Sequence, residues 1–321
     1  MRNTHVLMPG PMARTIVEQL DANFTLHKLW EAEDPDRLIA DNAERIEAIA
    51  TGGHRSVDGP FMQRFPNLKI VANFGVGYDT VDAAWAGQHG IYVSNTPDVL
   101  TEEVADTALG LLLMTVRQLS ESERYLRAGR WEKEGAFALT KATLRNRTVG
   151  IVGLGRIGKA IARRLDAFRV PVAYHGRSEQ AGVPYRYYDD LKAMASDVDI
   201  LLSVAPGGPS THHMISTEVL DALGPDGILV NVGRGSVVDE AALIAALKEG
   251  RLMSAGLDVF ENEPHVPAEL IAMEHVVLLP HVGSASVHTR QQMGQLVVDN
   301  LKSYFETGKP LTPVAETPLR D

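Results

Sequence analysis

Short apolar runs alternate with stretches of helical periodicity along the whole chain. A chain that alternates strands and helices in this way folds into α/β domains, in which helices cover a parallel sheet. The apolar runs have the length of buried strands. The predicted strands span residues 5–8, 24–29, 48–50, 68–73, 91–93, 149–152, 170–174, 199–204, 227–231, 252–257 and 276–279.

Between these runs, apolar residues recur at helical spacing. The predicted helices span residues 13–20, 35–41, 102–119, 121–128, 156–165, 240–248 and 289–305. Asp34 is a suitable N-cap for the second of them. The helix 102–119 is apolar on nearly every side, which is typical of a helix buried between domains or against another subunit. The stretch 131–145 has no regular pattern, and its Trp131 and Phe137 suit either a subunit contact or ordinary packing.

The composition is that of a globular protein with a sizeable core. The chain has 321 residues, 45% of them hydrophobic and 22% charged, and its length suggests two domains. A net charge of −10 argues against nucleic acid or an anionic membrane surface as the main partner. No cysteine is present, which excludes disulfides and thiolate chemistry. No apolar run is long enough for a signal peptide or a membrane span, so we expect a cytoplasmic protein.

The pattern G-x-G-x-x-G stands between the strand 149–152 and the helix that follows it. Its glycines are Gly153, Gly155 and Gly158. In this context the first glycine permits a sharp turn, the second leaves room for a pyrophosphate, and the third lets the helix pack against the strand. The free N–H groups of the helix start would then bind phosphate. The alternative is a glycine-rich turn that binds no ligand.

The residues after the next predicted strand indicate which dinucleotide binds. NAD-specific domains place a carboxylate there for the ribose hydroxyls. This chain instead has Arg177 and Ser178, whose guanidinium and hydroxyl groups suit a 2′-phosphate. We therefore predict NADP(H) as the preferred cofactor, with NAD(H) possible. The alternative is that Arg177 is a solvated loop residue.

Three polar residues follow predicted strands of the same half of the chain, namely Arg234, Glu263 and His281. Each alone has an ordinary interpretation, as a surface ion pair, a loop acid or a buried histidine. Together, beside a dinucleotide site, they match the needs of carbonyl reduction. A histidine protonates the new alkoxide near neutral pH, a carboxylate orients the histidine, and an arginine holds the substrate carboxylate and polarises the carbonyl.

Two further features have weaker signals. A loop with two glycines, residues 75–77, follows the strand 68–73 and could bind a small anion through its N–H groups, although a plain turn is the better interpretation of that loop alone. Adjacent His212 and His213 could suggest a metal site. Their side chains point in different directions and no carboxylate stands near them in the sequence, so we expect no bound metal.

With these motifs in order, the chain resembles the D-isomer-specific 2-hydroxyacid dehydrogenases over nearly its whole length. The resemblance rests on residues 153–158, 231–235, 258–264 and 279–284. It implies a substrate domain of residues 1–98 and 288–321, into which a Rossmann domain of residues 99–287 is inserted, both with parallel sheets. It implies that Arg234, Glu263 and His281 are catalytic. It also implies that the Val76–Gly77 backbone binds the substrate carboxylate and that the long apolar helix forms a homodimer interface.

Within that family, the chain is most similar to the NADP-dependent glyoxylate/hydroxypyruvate reductases. Residues 95–106, 175–178 and 263–267 support this. The implied reaction is NADPH-dependent reduction of glyoxylate or hydroxypyruvate to glycolate or D-glycerate. One alternative is a dehydrogenase for a bulkier 2-keto acid such as phenylpyruvate. Another is a non-catalytic, dinucleotide-sensing binding protein.

The predicted sites extend beyond these motifs. Ser284 joins Val76, Gly77, Arg234 and His281 as a predicted substrate contact. The predicted cofactor contacts lie in the glycine turn and in loops that follow predicted strands. They are Gly153, Leu154, Gly155, Arg156, Ile157, Gly158, Arg177, Ser178, Ala205, Pro206, Thr211, Val232, Gly233, Arg234, Asp258, His281 and Gly283.

Overall fold

The computed structural model describes residues 3–52 and 55–320. All paired strands among them run parallel. The strands are β1 His5–Met8, β2 Thr25–Lys28, β3 Ile46–Thr51, β4 Ile70–Asn73, β5 Tyr92–Ser94, β6 Val149–Val152, β7 Val172–His175, β8 Arg186–Tyr188, β9 Ile200–Ser203, β10 Ile228–Asn231, β11 Ser254–Leu257 and β12 Val277–Leu278.

Helices connect most of these strands, as the alternation of patterns predicts. They are α1 Arg14–Asn23, α2 Pro35–Asn42, α3 Gly59–Met62, α4 Ala83–Gln88, α5 Thr101–Val116, α6 Leu119–Arg127, α7 Arg130–Glu134, α8 Arg156–Ala167, α9 Leu191–Asp197, α10 Thr217–Leu223, α11 Glu240–Lys248, α12 Ala268–Ala272 and α13 Val287–Thr307. The Asp34 carboxylate accepts a hydrogen bond from the N–H of Arg37 at 3.0 Å, so the predicted cap of α2 is present.

The sequence-based elements differ from the structure in several places. Several short helices are not among the predicted ones, including α3, α9, α10 and α12. The long apolar helix ends at Val116 rather than 119, because Gln118 adopts a left-handed conformation (φ 50°) before α6 begins. The stretch predicted as irregular contains the short helix α7, bounded by two glycines with positive φ. The strand β8 was not predicted, since its three residues, Arg186–Tyr188, are too few to show a period.

The chain divides into two compact units. One contains the residues up to Leu100 and those from Ser286 onward, and the other spans Thr101–Ala285. Each junction lies two residues from the boundary predicted in the sequence. The second unit is therefore an insertion, in sequence, into the first.

The first unit is a five-stranded sheet in the order β2-β1-β3-β4-β5, which is the flavodoxin-like order. The last helix, α13, packs on α1 and β4 of this unit, as predicted for its return to the N-terminal domain. Val297, Val298 and Leu301 of α13 are buried in one core cluster with Ile16 and Leu20 of α1. Thus the C-terminal part of the chain covers one face of the sheet that the N-terminal part forms.

The second unit is a seven-stranded sheet in the order β12-β11-β10-β9-β6-β7-β8. Numbered from its own first strand, the order is that of a Rossmann domain with one added edge strand. The order reverses between β6 and β9, and ligands of such sheets bind beyond the carboxyl ends of the strands at that point. The predicted α/β class with two parallel-sheet domains is confirmed. Among the helices of the described residues, none combines the length and the apolar composition of a membrane span.

Gly158 in α8 lies against the backbone of Gly153. A Cβ at this position would overlap the carbonyl oxygen of Gly153, a backbone atom that cannot rotate away. Replacing Gly158 by alanine should therefore lower the free energy of unfolding by about 1–3 kcal/mol, as other overpacking changes do. Chemical denaturation monitored by circular dichroism measures this change.

The control is Gly110→Ala in α5. A Cβ there meets no heavy atom of the described residues within 4 Å. Alanine should leave stability unchanged or raise it by about 0.5–1 kcal/mol, because glycine is unfavourable inside a helix. Equal midpoints for Gly158→Ala and the wild type would contradict the predicted close contact.

Candidate active site

The glycine motif forms the turn between β6 and α8. Gly153 has φ 98°, a conformation that other residues rarely adopt, and its N–H donates to the carbonyl of His175 in β7 at 2.9 Å. Gly155 is the N-cap of α8 and offers no side-chain cap. A Cβ on Gly155 would meet no described heavy atom within 4 Å, so the space over the helix N-terminus is open. Open space at an uncapped N-terminus suits a phosphate.

Leu154, Arg156 and Ile157 lie in the same turn as predicted. Leu154 is buried, whereas Arg156 is exposed at the first position of α8. Gln180, which belongs to no recognisable motif, donates from Nε2 to the carbonyl of Leu154 at 2.7 Å. Its N–H donates to the hydroxyl of Tyr174 at 2.7 Å. Gln180 therefore ties the glycine turn to the loop that follows β7.

That loop carries Arg177 and Ser178. Both are exposed, two and three residues beyond the end of β7 at His175. In the register of the sheet, His175 is the partner of Val152, the last residue before the glycine turn. The loop thus leaves the sheet beside the turn, which is the position expected of residues that bind the ribose of a dinucleotide. Neither residue is a carboxylate.

The other predicted cofactor contacts lie in loops at the carboxyl ends of β9, β10, β11 and β12. Ala205 and Pro206 follow β9, and Val232 and Gly233 follow β10. The Thr211 hydroxyl donates to the carbonyl of Pro206 at 2.7 Å and so closes its own loop. The assignment of these residues to the cofactor stays a prediction.

Glu263 and His281 are brought together from two loops of the second unit. His281 Nδ1 lies 2.7 Å from Glu263 Oε2. The second oxygen of Glu263 accepts the N–H of Phe260 at 3.1 Å, which fixes the plane of the carboxylate. The side chain of His281 is 46% exposed, so the rest of the ring remains accessible. The predicted pairing of a histidine with an orienting carboxylate is thus present in the structure.

The environment of Glu263 keeps its carboxylate ionised. Burial alone would raise the pKa of Glu263, but the hydrogen bonds from His281 and Phe260 and the charges of His281 and Arg234 outweigh it and lower the pKa below its ordinary 4.5. An ionised carboxylate only accepts hydrogen bonds. Nδ1 of His281 therefore carries a hydrogen toward Glu263, and Nε2 is the nitrogen left for another partner.

Arg234 follows β10 in the same unit. Its Nη1 donates to the carbonyl of Gly233 at 2.9 Å, and its own carbonyl accepts the side-chain amide of Asn231 at 2.9 Å. Asn231 also accepts the N–H of Gly233 at 3.1 Å. Asn231 therefore holds both ends of the short segment that presents the guanidinium, and the charge of this group acts on Glu263.

Asp258 holds the loop that carries His281. Asp258 is 1% exposed, and its carboxylate accepts the N–H groups of Val282 and Gly283 at 2.7 and 2.8 Å. Burial raises the pKa of Asp258, while these two N–H groups act in the opposite direction. The sequence predicted a cofactor contact here, but the contacts of the carboxylate itself indicate a role in positioning His281.

The loop 75–77 of the first unit is held by polar side chains that the sequence analysis did not identify. Asn73 Nδ2 donates to the carbonyl of Gly77 at 2.9 Å, and Asn95 Nδ2 to that of Val76 at 2.9 Å. The backbone N–H of Thr96 donates to the carbonyl of Gly75 at 3.0 Å. No pattern in the sequence connects these residues, because an asparagine beside a turn is common.

The two adjacent histidines correct two expectations from the sequence. His213 Nε2 lies 2.7 Å from Glu261 Oε1, so a distant carboxylate does reach this pair. The rings of His212 and His213 stack with centroids 3.9 Å apart, so their side chains do not point in different directions. In residues 3–52 and 55–320, no group of three or more His, Cys, Asp or Glu residues could hold a metal ion.

Comparison with known proteins supports one family throughout the chain. The family described as D-isomer specific 2-hydroxyacid dehydrogenase, NAD binding domain, matches residues 109–283. The glyoxylate/hydroxypyruvate reductase A of Arabidopsis thaliana is 46% identical over 314 residues, which are 98% of this chain and 100% of that protein. The hydroxyphenylpyruvate reductase of Plectranthus scutellarioides is 47% identical over 310 residues, 96% of this chain and 98% of that one.

A solved structure agrees with both the sequence match and the fold. It is the NADPH-dependent glyoxylate/hydroxypyruvate reductase of Sinorhizobium meliloti in complex with NADP and malonate. It is 53% identical, covers 99% of each chain and has a TM-score of 0.95. Family match, full-length relatives and fold all agree, and the chain belongs to the D-isomer-specific 2-hydroxyacid dehydrogenase family.

Proposed function

We propose that this protein reduces glyoxylate and hydroxypyruvate with NADPH, giving glycolate and D-glycerate. The observation that carries the proposal is the 2.7 Å pairing of His281 with an ionised Glu263, in the unit that also holds the glycine turn. The relatives from Arabidopsis and Sinorhizobium, named for this activity, support the substrate class. The fold alone would not identify the substrate class, because one fold serves many substrates.

The glycine turn and the loop after β7 fit NADP. The uncapped start of α8 would hold the pyrophosphate, with Gly155 leaving the space open. Arg177 and Ser178 would hold the 2′-phosphate, for which a guanidinium and a hydroxyl are matched donors. A bound nicotinamide dinucleotide would supply the hydride for the carbonyl carbon.

The residues of this chain would supply the rest of the reaction. Protonated His281 donates from Nε2 to the carbonyl oxygen as negative charge develops on it. Glu263 holds Nδ1–H, fixes the ring and stabilises its positive charge. Arg234 binds the substrate carboxylate and polarises the carbonyl with its forked N–H donors.

The substrate carboxylate is also proposed to contact the N–H groups of Val76 and Gly77, and Ser284 to contact the substrate. Supporting this, no described residue accepts a hydrogen bond from the N–H of Val76 or Gly77. Both residues are partly exposed. Two adjacent N–H groups of this kind suit a small anion.

A second candidate is reduction of a bulkier, aromatic 2-keto acid. It is favoured by the hydroxyphenylpyruvate reductase of Plectranthus, which is 47% identical to this chain. The catalytic set would be the same in both cases, since the chemistry at the carbonyl is unchanged. Only the room around the substrate side chain distinguishes the two.

We also propose a homodimer, as the long apolar helix α5 suggests. Leu119, Leu126, Trp131 and Leu139, in the stretch after α5, are exposed by 45–97% of their surface. Large apolar side chains exposed in one stretch favour a contact with a second copy.

The cytoplasmic location stays a prediction from the sequence.

The proposed function is tested by initial rates with glyoxylate, hydroxypyruvate and phenylpyruvate, each with NADPH and with NADH. We expect the highest kcat/KM for the two small acids with NADPH. A preference for phenylpyruvate would favour the second candidate. Absence of turnover with all three acids would overturn both, since the catalytic set would then have no carbonyl substrate of this class.

Arg177→Ala should reduce the preference for NADPH. Loss of a charged hydrogen bond to the 2′-phosphate should raise KM for NADPH by about 10- to 100-fold and leave KM for NADH nearly unchanged. Arg145→Ala, which removes another exposed arginine of the same unit, is the control. An unchanged NADPH/NADH ratio in Arg177→Ala would mean that this side chain does not bind the cofactor.

His281→Ala should lower kcat by about 10²- to 10⁴-fold, the usual contribution of a positioned acid. Glu263→Gln keeps the shape but loses the charge that stabilises protonated His281, so its kcat should also fall. The matched control is His213→Ala, which breaks a histidine–carboxylate pair of the same length in the same unit. Cofactor binding followed by fluorescence shows whether each variant is folded. Near-normal turnover of His281→Ala would remove this residue from the mechanism.

A further inference from the structure

The three consecutive carbonyl groups of the loop 75–77 all have donors. Gly75 accepts the N–H of Thr96, Val76 accepts the side-chain amide of Asn95, and Gly77 accepts that of Asn73. These distances are 3.0, 2.9 and 2.9 Å. The loop is therefore fixed through its three oxygens, and on its N–H side Gly75 donates to the Thr96 hydroxyl at 3.0 Å.

Fixing a carbonyl also fixes the N–H of the next residue. The peptide bonds from Gly75 to Val76 and from Val76 to Gly77 are trans, since the cis bond of the described chain is Glu263–Pro264. In a trans peptide the C=O and the following N–H point in opposite directions in one plane. The amide of Asn95, by holding the Val76 carbonyl, therefore directs the Gly77 N–H away from Asn95. In the same way, the N–H of Thr96 holds the Gly75 carbonyl and so directs the Val76 N–H away from Thr96.

Asn95 is itself held by the C-terminal segment. Its backbone N–H donates to the carbonyl of Thr312 at 3.2 Å, and its carbonyl accepts the Thr312 hydroxyl at 2.6 Å. The Thr312 hydroxyl accepts Nδ2 of Asn300, and the Thr312 N–H donates to Oδ1 of Asn300, both at 2.9 Å. Asn300, in α13, is 1% exposed. A buried amide whose donor and acceptor are both used holds one orientation.

We propose that Asn95 is a positioning residue for substrate binding. It orients the Gly77 N–H toward the substrate carboxylate through the carbonyl of Val76, and the Asn300–Thr312 pair fixes its place. The inference rests on the proposed function, because it assumes that the Val76 and Gly77 N–H groups receive that carboxylate. It assigns Asn95 no contact with the substrate.

Holding the Val76 carbonyl requires a hydrogen-bond donor, which the amide side chain of Asn95 supplies. The side chain of asparagine offers N–H donors to the carbonyl, whereas an ionised aspartate offers only acceptors. In Asn95→Asp, a carboxylate would face the Val76 carbonyl oxygen, and its negative charge would oppose a substrate anion. Asn95→Ala removes the donor without adding charge. The two variants should therefore affect substrate binding to different degrees.

The experiment compares wild type, Asn95→Ala, Asn95→Asp and Asn67→Ala in steady-state kinetics with glyoxylate and NADPH. Asn67 is the matched control, since its Nδ2 also donates to a backbone carbonyl of the first unit, that of Glu44, at 2.7 Å. We expect Asn95→Ala to raise KM for glyoxylate about tenfold, with kcat within about twofold of wild type and KM for NADPH unchanged. Asn95→Asp should raise KM further, and Asn67→Ala should match wild type.

Inhibition by oxamate, a carboxylate that is not reduced, separates positioning from general damage. Its inhibition constant should rise in parallel with KM in both Asn95 variants. A loss of kcat with an unchanged oxamate constant, or an unchanged KM, would overturn the proposal. Thr312→Val keeps the side-chain shape but removes the hydroxyl, and should raise KM about threefold even if Asn95→Ala does not fold. Absence of wild-type turnover would instead overturn the proposed function and this inference with it.

Discussion

The candidate active site depends on one buried carboxylate, that of Asp258. It accepts two N–H groups from the loop after β12, at Val282 and Gly283, while the backbone of Asp258 joins Asn231 and His281. His281 has φ 53°, a conformation that is unfavourable for a residue with a side chain. Without Asp258 these N–H groups would lose their partner, at a cost of about 1–3 kcal/mol each. The backbone that carries His281 is thus held by Asp258, whose carboxylate accepts N–H groups of the two residues that follow the histidine.

Glu263 also positions His281 through hydrogen bonds of its carboxylate. Its two oxygens have separate tasks, one toward the N–H of Phe260 and one toward His281. The hydrogen bond from Phe260 fixes the plane of the carboxylate. The hydrogen bond from His281 then fixes the orientation of the imidazole ring relative to that plane. Because the surroundings lower the pKa of Glu263, this carboxylate stays an acceptor over the neutral range, binds Nδ1–H of His281 and leaves Nε2 for another partner.

The sequence predicted the parts of the site that lie within short motifs. Strand, glycine turn and helix are adjacent in the chain, so the position of Gly153 and Gly158 follows from local patterns. The carboxyl-end rule for parallel strands then predicted that Arg234, Glu263 and His281 belong to one functional region. Contacts between distant segments leave no pattern in the sequence. Glu261, 48 residues from His213, binds it nonetheless, and nothing in the chain between them indicates the contact.

The loop 75–77 shows most clearly why such contacts stay hidden. Two glycines after a strand predict a turn, but the direction of each N–H depends on which donors hold the carbonyls. One of these donors belongs to Asn95, and Asn95 is held by Thr312, 217 residues further along the chain. Thr312 reaches it only because α13 returns to the sheet of the first unit and orients Asn300 in its core. The direction of the N–H groups of this loop is therefore a property of the folded unit, and the residues that determine it lie far from the loop in the sequence.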